Sequence, residues 1–104
     1  MEVPGAGDAK EAEGLHYFDV VRNKLQQNWF LPIWLARQNF SAQVRVYIDA
    51  RGYMRSFELT KASGNSQFDD AVKRTLVDSQ PFSPPPEELV RSMLSDGITI
   101  GFPL

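Results

Sequence analysis

A chain of 104 residues, 42% hydrophobic and 23% charged, with a formal net charge of −2 and no cysteine, reads as one globular domain with a modest core. Those figures exclude a disulfide framework, a thiolate metal site and a deep catalytic cavity with its own scaffold. The acidic balance argues against a dedicated nucleic-acid binder, which presents a basic face, and no run approaches the ~20 apolar residues of a membrane span.

Residues 1–14, MEVPGAGDAKEAEG, are small, polar and punctuated by Gly and Pro, so they are expected to be a disordered tail or linker stump ahead of a folded domain over 15–104. GAGDAK is not a phosphate loop, because Lys10 is followed by Glu11 where Walker A needs Ser or Thr. From Leu15 the pattern turns helical: Leu15, Phe18, Val21, Leu25 and Trp29 recur at spacings of three and four and share one stripe. Pro32 lacks an amide hydrogen and disfavours helix in the residue before it, so the helix is expected to fail around Asn28–Phe30, with Trp29 capping the core.

Residues 41–49, SAQVRVYID, alternate strictly. Ala42, Val44, Val46 and Ile48 face a core, while Gln43, Arg45, Tyr47 and Asp49 face water. Asp49-Ala50-Arg51-Gly52 supplies a turn in which Gly52 can take a positive φ. The return strand spans about Tyr53 to Lys61, and its apolar residues change parity between Met54 and Phe57, which predicts a bulge near Arg55–Ser56. After Ala62-Ser63-Gly64-Asn65, Ser66 is expected to cap a helix, with Asp69 in its first turn. Phe68, Ala71, Val72, Thr75 and Leu76 form that helix's inner arc.

QPFSPPP, residues 80–86, is expected to cross the domain in extended form with Phe82 inward, and Pro86 to open a short helical turn ending at Asp96-Gly97. Ile98-Thr99-Ile100-Gly101-Phe102 alternates again as a third strand, and Pro103 suits its end or an edge. The expected architecture is α+β with element order αββαβ. It has a three-stranded antiparallel sheet in the order 2-1-3 and two helices packed on one face, because a crossover between parallel strands leaves a gap that the most apolar strand fills.

Chemistry-bearing constellations are missing. His16 is the only histidine, which leaves no His-based metal site or Ser–His pair. Asp69–Asp70 and Glu87–Glu88 point to different sides of a helix rather than into one cleft. No enzyme and no cofactor are expected. Arg45 and Tyr47 on the wet face of a small sheet resemble a base-stacking platform, but the acidic balance and the lack of a leading strand speak against nucleic acid.

Taken in order, these residues resemble the C-terminal domain of the TonB/TolA family of bacterial envelope energy transducers, from Tyr17 to Phe102. The likeness rests on a helix ending in Trp29-x-x-Pro32, the strand Val44–Asp49, the turn with Gly52, and Ala62-Ser63-Gly64 where the family often has Ser-Ser-Gly. Phe68-Asp69 with Ala71-Val72, Pro81-Phe82 with Pro84-Pro85-Pro86, and a closing strand complete it. The departures are Ala62, the added EELVRSML turn and the short end after Phe102. The resemblance implies a periplasmic domain belonging to a longer protein, anchored in the inner membrane and driven by a proton-powered motor. It also implies a protein partner at or near the outer membrane, gripped by pairing an extended segment with an exposed strand. On that footing Gly97, Ile98, Thr99, Ile100, Gly101 and Phe102 are the candidate docking edge, with Thr99 and Gly101 outward and Ile98, Ile100 and Phe102 inward. The alternative is a structural or self-association module, in which the same strand closes the sheet or pairs with a second copy in a homodimer.

Overall fold

The computed structural model describes residues 6–104. Its elements are α1 (Ala6–Asn28), α2 (Ile33–Ala36), β1 (Ala42–Ile48), β2 (Met54–Lys61), α3 (Ser66–Asp78), a 3-10 turn (Glu87–Leu89) running into α4 (Val90–Ser95), and β3 (Ile98–Phe102). The sheet is antiparallel in the order β2-β1-β3, as expected. Of the tail expected over 1–14, residues 1–5 lie outside the described residues, as does the side chain of Leu15. The helix begins at Ala6 rather than Leu15. Ala6, Ala9, Glu11, Ala12 and Glu13 are good helix formers, and they outweigh the glycines read as breakers.

The alternation in β1 makes the core. Ala42, Val44, Val46 and Ile48 are all buried, and they meet Tyr17, Val21 and Leu25 of α1 and Phe68, Val72 and Leu76 of α3 in one apolar cluster. Both long helices therefore cover one face of the sheet. α1 stops at Asn28, as Pro32 demanded. Trp29 seals that end of the core, its ring 5.8 Å from Phe68 edge-on and 5.0 Å from Phe102. Tyr17 was missed as a core residue: its ring is buried and its hydroxyl donates to the Ser83 carbonyl at 2.8 Å. Burial, with the Asp49 charge adding to it, pushes the Tyr17 hydroxyl up to about 12.

The β1–β2 hairpin closes as expected, with Gly52 at φ +89°. Its amide donates to the Asp49 carbonyl at 3.0 Å, and the Asp49 carboxylate accepts from the amides of Arg51 and Tyr53 at 2.9 and 3.0 Å. Desolvation works to raise the Asp49 carboxyl. The two amides and the nearby Arg51 and Arg55 charges outweigh it and hold the group below its ordinary value. The bulge falls where the parity change put it, since Tyr47 pairs with Ser56 and Ile48 with Met54, leaving Arg55 unpaired. A second bulge at Thr60, between the Val44–Leu59 and Gln43–Lys61 pairs, was not foreseen.

The cap of α3 needs correcting. Asn65, not Ser66, is the N-cap: its Oδ1 accepts from the Phe68 amide at 2.9 Å. Asp69 instead reaches back to accept from the Ser63 amide at 3.1 Å. Asn65 has extended φ and ψ while Ser66 is already helical, and a cap must lie just outside the helix. The Pro-rich crossing forms neither helix nor strand, and Phe82 within it is buried. It is latched to the hairpin by the Phe82 amide on the Gly52 carbonyl at 2.8 Å and by the Gln80 side chain on the Met54 amide at 2.9 Å.

Candidate functional site

The edge strand β3 is positioned by what precedes it. At the end of α4 the amides of Asp96 and Gly97 both donate to the Ser92 carbonyl, at 2.8 and 3.0 Å, and Gly97 turns the chain at φ +70°. A Cβ on Gly97 would lie 2.8 Å from the Val46 carbonyl and 3.0 Å from the side chains of Arg45 and Tyr47, so the turn nests directly on β1. Gly97 thus launches the strand rather than belonging to it, and the strand proper is Ile98–Phe102.

Ile98, Ile100 and Phe102 are buried, while Thr99 and Gly101 are exposed, in the inward and outward pattern expected from alternation. β3 lies antiparallel to β1, with Ile98 opposite Val46, Ile100 opposite Val44 and Phe102 opposite Ala42.

The lateral direction of the backbone groups follows from two contacts. The Val46 carbonyl abuts Gly97, on the β3 side of β1. The Gln43 carbonyl accepts from the Thr60 hydroxyl at 3.2 Å, on the β2 side. Main-chain groups alternate sides along a strand, so Ala42, Val44 and Val46 serve β3 while Gln43, Arg45 and Tyr47 serve β2. Across the ladder, Ile98, Ile100 and Phe102 turn their amides and carbonyls to β1. Thr99 and Gly101 turn theirs away from the sheet. One donor and one acceptor from each of these two residues line the outer border of β3.

The opposite border differs. β2 carries both bulges and the charged residues Arg55, Glu58 and Lys61, whereas Ile98–Phe102 carries no charge and no register shift. Bulges and charges are the devices by which sheets blunt an edge. Of the two borders among the described residues, that of β3 is the unbulged and uncharged one.

On the wet face, Arg45 stands between Glu58 of β2 and Thr99 of β3, and its Nε is buried with no hydrogen-bond partner among the described residues. Tyr47 donates to Glu58 Oε1 at 3.5 Å. His16 is exposed on α1, Asp70 is exposed and Asp69 is engaged with Ser63, so the acidic pairs do not converge. Among the described residues no three His, Cys, Asp or Glu side chains gather as metal ligands would, and no helix is long and apolar enough to cross a membrane.

Sequence reasoning missed an apolar knuckle beyond α1. Phe30, Ile33 and Trp34 are 76%, 70% and 52% exposed, while Leu35 between the two α2 ends is buried. The signal was present in WFLPIWL, a run with more large apolar residues than the end of so small a core can cover. Grooves flank the knuckle. One of about 410 Å³ includes Trp34 with Asp70, Arg74 and Asp78 of α3. The other, of about 500 Å³, is lined by Trp29, Phe30, Leu35, Phe40, Phe68 and Pro103 among others.

The model of the TonB C-terminal family matches residues 15–102. Curated proteins give no match. Among solved structures, the solution NMR structure of TolAIII bound to a peptide derived from the N-terminus of TolB is similar to this chain. The TM-score is 0.66 and the identity 20%, over 81% of this chain and 68% of that one. At that identity the likeness is one of fold.

Proposed function

Because the chain belongs to the TonB C-terminal family, we propose that it is the protein-binding domain of an envelope energy transducer, acting in the periplasm as part of an inner-membrane-anchored protein. It grips an extended segment of an outer-membrane or periplasmic partner by adding that segment as a fourth strand along Gly97–Phe102. Force from a proton-driven inner-membrane motor passes through the anchored protein into this domain and on to the partner. The domain binds and transmits; it catalyses nothing.

The observation that carries this reading is the border of β3, where Thr99 and Gly101 direct two amides and two carbonyls outward from a flat, uncharged strand. A partner strand satisfies all four groups, and strand addition of this kind draws affinity from the main chain. TolAIII, similar in fold, was solved with a peptide bound, which supports a peptide-binding role here.

The test is capture of extended peptides from a displayed random library, with Thr99→Pro and Gly101→Pro as the diagnostic variants. Each proline removes one outward amide and sets its ring against the incoming strand. Peptide binding should vanish in both variants while the fold persists. Undiminished capture by the Thr99→Pro protein would overturn the docking edge. A concentration-dependent mass in sedimentation that Thr99→Pro abolishes would show the edge serving a second copy instead.

A further inference from the structure

We infer that the docked segment carries an apolar anchor, an aromatic or branched aliphatic side chain seated in the groove between Trp29, Phe30, Leu35, Phe40 and Pro103. The inference rests on the docking edge proposed above and adds what fixes the partner's register upon it.

Main-chain pairing alone leaves register weakly specified, because each two-residue slip restores the same bonds. With only Thr99 and Gly101 facing outward, β3 offers little to distinguish one stretch of extended chain from another. Gly101 in particular adds no side chain to the border, and a Cβ there would meet nothing within 4 Å. Selectivity has to come from a pocket beside the edge.

The groove stands where such a pocket is needed. Pro103 follows directly on Phe102, the last residue of β3, and forms one wall. Trp29 forms another, and its ring packs 5.0 Å from the Phe102 ring. The groove therefore adjoins the C-terminal end of β3, within reach of a segment that lies along the strand and continues past Phe102. At about 500 Å³ the groove admits a large side chain, and none of its lining residues is charged. Phe30 overhangs it at 76% exposure with no role in the core. The neighbouring groove under Trp34 contains Asp70, Arg74 and Asp78 and has no contact with the end of β3 in its lining. Lining chemistry and continuity both select the first groove, and an uncharged, apolar side chain as its occupant.

The experiment selects peptides from a displayed random library on the wild-type domain and then measures each peptide against Phe30→Ser, Ala36→Glu, Trp34→Ser and Thr99→Pro. Ala36 is exposed and lines the same groove, so a glutamate there places a charge in it without touching the core. Selected peptides should share one large apolar position at one end of an otherwise tolerant extended stretch. Phe30→Ser and Ala36→Glu should each weaken them about tenfold or more, with Trp34→Ser nearly neutral. Replacing the peptide's apolar position by Ala should cause the same loss, with no further loss in Phe30→Ser. Binders that depend on Thr99 but ignore Phe30 and Ala36 would overturn the anchor and leave the edge standing. Binders that ignore Thr99, or no binders at all, would overturn both. A self-association removed by Phe30→Ser would assign the groove to a second copy and overturn the anchor.

Discussion

Proline scanning of β3 should divide the strand into two classes by a rule that side-chain burial alone does not contain. At Thr99 the amide points out of the sheet, so Thr99→Pro breaks no bond within the domain. The cost is confined to fitting the fixed φ into an edge strand, about 1 kcal/mol. At Ile100 the amide serves β1. Ile100→Pro removes that donor and leaves the Val44 carbonyl short of its partner, about 1–3 kcal/mol. It also takes most of a buried isoleucine out of the core, at about 2–5 kcal/mol for comparable truncations. The expected gap between adjacent prolines is thus about 2 kcal/mol or more, a shift of roughly 8 °C or more in melting temperature for a domain of this size. Urea and thermal unfolding read the gap. Amide hydrogen exchange on the unmodified protein reads its cause: Thr99 and Gly101 should exchange fast while Ile98, Ile100 and Phe102 are protected. Equal protection along the strand, or a Thr99→Pro protein as unstable as Ile100→Pro, would refute the assignment of inward and outward amides.

Three further outcomes follow from the fold. Gly52 and Gly64 share nearly the same φ, +89° and +88°, but a Cβ at Gly52 would overlap the Phe82 carbonyl while one at Gly64 meets nothing within 4 Å. Gly64→Ala should cost only the left-handed strain of about 1–2 kcal/mol; Gly52→Ala should cost about 3 kcal/mol or more by displacing the crossing that holds Phe82, as chemical unfolding of the pair will show. Asn65→Ala should destabilise by about 1 kcal/mol and Ser66→Ala by much less, reversing the order that Ser66 as cap requires. Raising the Tyr17 hydroxyl stabilises the fold fully below its unfolded value of about 10, and that contribution is lost as pH climbs through about 12, the folded value. Unfolding midpoints over that alkaline window should fall more steeply for the wild type than for Tyr17→Phe.

The architecture was legible because its burial is periodic. Ala42, Val44, Val46 and Ile48 state a two-residue period with no exception, and the break from Met54 to Phe57 located the first bulge. The bulge at Thr60 was silent: Thr60 and Lys61 are both polar and exposed, so no apolar residue reported the change of parity. α2 was missed because a single buried residue, Leu35, orders a four-residue helix, too short for a helical period to appear. The border strand was readable as Ile98–Phe102, yet the lateral aim of its amides was not. Side-chain alternation says which face a residue uses, whereas register against β1 decides which edge its backbone uses. The groove beside Pro103 gathers Trp29, Phe40, Phe68 and Pro103 from separate parts of the chain, and no local pattern announces such a meeting.

The unequal borders of the sheet also set how copies of this domain can stack. Had β2 been as smooth as β3, one molecule's left flank would fit the next one's right flank, and that join repeats without end into a filament. Two kinks and three charges on β2 close that route. A join made along β3, as proposed, would use up the one smooth flank that the described residues offer on each participant, so assembly through the sheet would terminate after a single step, whether the second participant is a foreign chain or a twin.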